Sequence, residues 1–163
     1  MMTPGPSAAA SDELLQVCVW RVGAEHFAVD LRRVEEILPV PVVTSVPHAP
    51  SFLEGVTRLR GEVLPVVDVR KRLGVWPDER ASLSPSGKPR NRERLVVCRL
   101  GTRRVGFIVD AVTQVTRVSR QSLRPAPLAE RPGARPHILG VCGEPPSLKL
   151  LLDVKALVSG EGP

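Results

Sequence analysis

Four aspartates in this chain end apolar runs: Asp30 after HFAV, Asp68 after VLPVV, Asp110 after VGFIV and Asp153 after LKLLL. Paired carboxylates can do general acid–base work, so these are the first residues to weigh. Their setting argues for another role. A short acid at the end of a strand accepts hydrogen bonds from the backbone N–H groups of the following turn and caps it. His26, His48 and His137 are scattered and lack metal-ligand spacing with Cys, Asp or Glu. Cys18, Cys98 and Cys142 lie in apolar runs, odd in number and without a CxxC pair. That pattern fits buried thiols in a reducing compartment rather than a disulfide framework or a zinc site. No GxSxG, HExxH or glycine-rich phosphate loop occurs. No catalytic residue, metal ligand or cofactor site is expected.

The elements that hold these aspartates repeat. Residues 52–73 read FLEGVTRLRGEVLPVVDVRKRL and residues 137–158 read HILGVCGEPPSLKLLLDVKALV. Gly55-Val56 aligns with Gly140-Val141, Asp68-Val69 with Asp153-Val154 and Arg70 with Lys155, always 85 positions apart. AVD at 28–30 and IVD at 108–110 give a weaker echo at a spacing of 80. The chain therefore reads as a duplicated β unit.

Within it, 14–22 is a continuous apolar run of buried-strand length, and a turn at 23–25 leads into a strand at 26–30. In LRRVEEIL (31–38), Leu31, Val34, Ile37 and Leu38 make one apolar stripe, which predicts a short helix capped by Asp30 and ended by Pro39. A short strand at 42–46 and a rigid PHAP connection (47–50) follow. Residues 55–59 and 63–69 form a hairpin about Gly61, and Pro65 implies an edge position or a bulge. In the second half, 94–101, 105–110 and 111–118 read as strands, 119–123 as a short helix and 125–136 as loop. Residues 137–143 and 147–154 read as the closing strands and 154–158 as a last helical turn. About five strands per half implies two small barrels, since closure hides the edges of short strands.

The composition agrees. In 163 residues, 42% are hydrophobic but only 3% aromatic, and 17 prolines favour short strands and turns. The lead before residue 14 has no basic start or apolar stretch and reads as disordered, pointing to a cytoplasmic protein without membrane insertion. The net charge of +6 is uneven: residues 70–104 alone carry +8, much of it in the Pro/Ser/Arg stretch 76–94. Such a stretch reads as a solvated linker between a half at about 14–75 and a half at about 94–158, with 159–163 a tail. Its other use would be non-specific nucleic-acid contact, which the scarcity of aromatics disfavours.

The stretch GVTRLRGEVLPVVDVRKRLG (55–74) resembles the signature of the CheW-like family, the adaptor proteins of bacterial chemosensory arrays. Gly55-Val56, Leu59-Arg60-Gly61, Pro65 and Asp68-Val69-Arg70 carry the pattern, and RVEEIL (33–38) and PHAPSFLEGV (47–56) stand at family-like spacing before it. VGFIVDAVTQV (105–115) and 137–158, with Gly140 and Asp153, resemble the closing elements. The resemblance implies an all-β fold with short helices, in which two five-stranded SH3-like barrels intertwine over 14–158. It also implies a non-catalytic adaptor in chemotaxis or another array-based system, such as one governing surface motility. Such an adaptor joins the regulatory domain of a CheA-type histidine kinase to the cytoplasmic tip of chemoreceptors, with self-association in arrays. One barrel face would pair with the kinase and the groove between barrels would take the receptor hairpin. Glu36, implied to lie on the short helix, and Arg60, on the hairpin turn, match a pair implied to matter for coupling; Val34 matches a receptor-contact position. Gly61 belongs to the same turn, and Arg58 stands where the family usually has asparagine. The other reading is a small-barrel nucleic-acid-binding protein using 70–104.

Overall fold

The computed structural model describes residues 13–74, 93–125, 137–143 and 146–159. Residues 1–12, 75–92, 126–136, 144–145 and 160–163 lie outside the described residues, and with them nearly all of the expected lead, of the basic connection 76–94, of the loop 125–136 and of the tail. Ten strands run in chain order: β1 (Leu14–Val22), β2 (Glu25–Asp30), β3 (Val34–Pro39), β4 (Leu53–Leu59), β5 (Glu62–Asp68), β6 (Arg94–Leu100), β7 (Arg103–Val109), β8 (Ala111–Ser119), β9 (Ile138–Cys142) and β10 (Lys149–Leu152). Two short helices, α1 (Val69–Leu73) and α2 (Val154–Val158), follow β5 and β10. No helix among the described residues is long and apolar enough to cross a membrane.

The strands form two five-stranded sheets, ordered β8-β1-β2-β10-β9 and β3-β6-β7-β5-β4. The orders correspond term by term, β1 to β6 through β5 to β10, as a duplication requires. Each sheet closes on itself through one bridge. The chain leaving β3 returns to β4, where Thr44 and Val56 exchange two backbone hydrogen bonds of 2.8 Å. The chain leaving β8 returns to β9, where Arg124 and Val141 do the same at 2.9 and 2.8 Å. Gly55 and Gly140 lie beneath these crossings, where an added Cβ would come within 2.0 Å of Thr44 O and 2.6 Å of Arg124 O. The backbone approach is what demands glycine.

The two barrels do not follow the two halves of the chain. The first barrel takes β1 and β2 from one half and β8–β10 from the other; the second takes β3–β5 and β6–β7. This corrects the expected division at 14–75 and 94–158 and gives the intertwining its physical form: an exchange of strands. Because of it, β1, β2, β6 and β7 are covered on both faces. Leu15, Val17, Val19 and Ala28 fill the first barrel; Leu64, Val66, Leu95, Val97 and Ile108 fill the second. The alternate residues Trp20, Val22, Phe27, Val96, Phe107 and Val109 meet in a third core between the barrels, joined by Val69, Leu73, Val154 and Leu157 of the helices. Trp20 and Phe107 pack there with ring centroids 5.9 Å apart. Burial on both faces explains why these strands read as continuous apolar runs rather than alternating ones.

Three local expectations differ from the structure. Only Leu31–Arg33 of the helix expected at 31–38 is helical, as one 3-10 turn whose N-terminus Asp30 caps by accepting from Arg32 N at 3.0 Å. Residues 34–39 are strand, with Val34, Glu36 and Leu38 turned half inward and Ile37 41% exposed. An open edge on β6 and two β-branched residues outweigh a weak eight-residue helical stripe. The strand expected at 42–46 is reduced to the Thr44 bridge. Pro65 is neither on an edge strand nor in a bulge of its own strand: β5 lies between β7 and β4, and its pairing with β7 starts one residue later, at Val66. A residue without an N–H is tolerated there because no ladder to β7 has yet begun.

Candidate partner-binding surface

The β4–β5 hairpin turns through Arg60 and Gly61, both left-handed at φ 53° and 83°. Two positive φ values in a two-residue loop make the type I′ turn that matches strand twist. Gly61 is needed for its dihedral alone, since nothing lies within 4 Å of its missing Cβ. Arg60 adopts a conformation unfavourable for a side-chain-bearing residue and holds its side chain 72% exposed at the tip. Its Nη2 donates to Glu36 Oε1 at 2.9 Å. The pair joins the chain about to close the second barrel to the turn of the strands it closes upon. This hydrogen bond, together with the carboxylate charge, raises the Arg60 pKa. Most of the guanidinium's five donors remain open to an incoming carboxylate.

Arg58 is exposed on β4 opposite Val63, which is itself 66% exposed. Val34 sits half-buried against the core between the barrels. The structure thus brings Glu36, Arg58, Arg60 and Gly61 to one end of the second barrel, with Val34 at the inner start of the same strand as Glu36.

Beside this end runs a groove floored by Phe52, Leu53, Pro65, Val67, Val105 and Val158, with Arg99, Arg103, Arg104 and Lys155 along it. Sequence reasoning missed Glu35, Glu62, Arg99 and Arg104, which form ion pairs over the same end. The RR pair at 103–104 was a signal; that Arg104 reaches Glu35 of β3 depended on the strand exchange.

The other signature residues are structural. Arg70 is 15% exposed and forms ion pairs of 3.1 Å with Asp68, Glu93 and Asp110. Burial opposes its charge, but the carboxylates outweigh it and raise the pKa. Asp110 also accepts from Gly23 N at 2.6 Å, tying the β1–β2 turn into the cluster. Asp68 and Asp153 cap α1 and α2, accepting from Arg70 N at 2.9 Å and Lys155 N at 3.0 Å. Of the four aspartates, Asp110 alone precedes no helical turn, because β8 follows it directly.

Burial pushes the Cys98 thiol up to about 12, with Cys18 and Glu35 adding to the effect, and burial also raises Cys18 and Cys142. None is a thiolate nucleophile near neutral pH. Among the described residues no group of His, Cys, Asp and Glu could hold a metal ion.

Residues 16–162 match the family model described as the CheW-like domain. The chain belongs to the CheW-like family. It is 36% identical to the chemotaxis protein CheW of Rhizobium meliloti over 69% of this chain and 66% of that protein. It is 30% identical to the chemotaxis protein CheW of Klebsiella aerogenes over 88% of this chain and 81% of that one. Its fold is that of the scaffolding protein TtCheW from Thermoanaerobacter tengcongensis: TM-score 0.77, 24% identity, covering 93% of this chain and 97% of that one. As a CheW-like protein, the chain is a non-catalytic adaptor of chemosensory signalling.

Proposed function

We propose that this CheW-like protein couples the cytoplasmic tip of chemoreceptors to the regulatory domain of a CheA-type histidine kinase, and works in the cytoplasm, recruited to receptor arrays. The observation that carries this reading is the exposed Arg60, set in a left-handed turn and tied to Glu36. A cation pre-positioned on a rigid hairpin tip loses little freedom on binding, and its planar fork suits a partner carboxylate. Arg58, Arg60 and Gly61 meet the partner, Glu36 holds Arg60, and Val34 contributes at the inner edge. The groove, apolar in its floor and basic along its side, suits an apolar segment that also carries acids.

No observation favours the nucleic-acid reading: within 70–104, the described Arg70, Arg99 and Arg104 are each paired with carboxylates. Reconstituting receptor, kinase and this protein tests the proposal. Receptor-stimulated kinase phosphorylation should require the protein, and equal stimulation in its absence would refute it.

A further inference from the structure

Glu35 is the extra residue of an irregularity in β3: Val34 pairs with Cys98 and Glu36 with Val97, so the strand gains one residue on its partner. In a regular strand, neighbouring side chains point to opposite faces. Here both neighbouring carboxylates are engaged at the same end of the sheet. Glu36 accepts from Arg60. Glu35 Oε2 meets Arg104 Nε at 3.0 Å, and Glu35 Oε1 meets Arg99 Nη1 at 3.4 Å. Arg104 reaches on through Nη1 to Glu62 Oε2 at 3.3 Å. Glu62 directly follows Gly61, so the turn is held on one side by Glu36 and on the other by Glu35 acting through Arg104. Arg99, Arg104 and Glu62 also line the groove. Turn and groove therefore share charged atoms.

We propose that Glu35 is a positioning residue that couples occupancy of the groove to the placement of the Arg60 turn. An acidic partner segment entering the groove competes with Glu35 and Glu62 for Arg99 and Arg104, and loosens one of the two holds on the turn. Arg99 is 59% and Glu62 65% exposed, so these pairs add little to stability. What they supply is geometry. Such coupling is reciprocal: a partner gripping Arg60 alters the groove as much as a groove ligand alters the turn.

The inference rests on the adaptor reading, so its test has one arm that needs no partner. In the free protein, Glu35→Gln should shift the backbone amide signals of Gly61 and Glu62 and leave Lys149, after the equivalent turn, in place. Unmoved signals at 61–62 would overturn the proposal. In the second arm, a purified chemoreceptor cytoplasmic fragment from the same source is titrated into each variant. Glu35→Gln removes the partner's competitor for Arg99 and Arg104 and should tighten binding by about fivefold or more, the lower end of ordinary coupling strengths, with melting unchanged. Glu35→Asp, which keeps the competing carboxylate, should stay near the wild-type affinity. Wild-type affinity in Glu35→Gln would overturn the proposal. If the wild type itself does not bind the fragment, the adaptor reading fails and the amide shifts alone decide the positioning claim.

Discussion

In the two copies of the repeated unit, Gly55 and Gly140 each lie under the chain that closes a barrel, and Val56 and Val141 each make the closing bridge. Asp68 N donates to Phe52 O and Asp153 N to His137 O, again the same contact. The side chains then diverge. The first copy turns through Arg60-Gly61 and buries Arg70 among three carboxylates. In the second, Gly143 is left-handed at φ 87°, Ser147 comes before the next strand, and Lys155, the counterpart of Arg70, is exposed beside the groove. Duplication preserved what the backbone needs to close a barrel and left the side chains of the two copies to differ. Recognition, on this account, belongs to the first copy.

The sharpest way to break the comparison is at the glycines. Gly55→Ala sets a Cβ 2.0 Å from a backbone oxygen at φ 152°, so the second barrel must open. A loss of about 3 kcal/mol or more is expected in urea unfolding. Gly140→Ala meets a contact of 2.6 Å at a backbone angle open to any residue, and should lose less. Small losses at both positions would mean that the closures are not what demands glycine.

Next comes the buried ion cluster. Arg70→Met strands Asp68 and Asp110 and should cost about 2–4 kcal/mol, somewhat below a fully enclosed pair. Lys155→Met, its counterpart, should stay within about 0.5 kcal/mol, as exposed substitutions do. A comparable loss at Lys155 would contradict the division of roles.

A smaller effect follows from His137, which is buried and has no partner for Nδ1 among the described residues. Burial lowers its pKa, nearby Arg72 lowers it further, and Asp153 partly opposes them. The unfolded chain then takes up a proton near the ordinary value of about 6.5 while the folded chain resists it. Its contribution is complete above that pH and is lost as pH falls toward the lowered folded value. His137→Gln should flatten the pH dependence of unfolding between neutrality and the acid side; an unchanged slope would show that His137 is not its source.

The least effect on stability is expected at the tip: Arg60→Glu should move Tm by no more than about 2 °C, since an exposed pair contributes little. A large fall would make the Glu36–Arg60 pair structural.

What could be read in the sequence was what repeats or what local chemistry imposes. The spacing of 85 exposed the duplication, Asp30, Asp68 and Asp153 announced their caps, and Gly61 announced its turn. α1 was missed although Asp68 at its start and Gly74 at its end, left-handed at φ 68°, were ordinary helix signals. The strand exchange was hidden because β3–β6 and β8–β1 pairing depends on the whole fold rather than on neighbouring residues. For the same reason 31–38 looked helical in isolation, and the role of Glu35 depends on a register step that no residue type announces.

The central claim is most directly tested by a calorimetric titration of the regulatory domain of a CheA-type kinase from the same source into wild-type protein and Arg60→Glu. The account predicts micromolar or tighter binding by the wild type and a marked loss in the variant at unchanged melting temperature. No binding by the wild type, or equal binding by both, would contradict it.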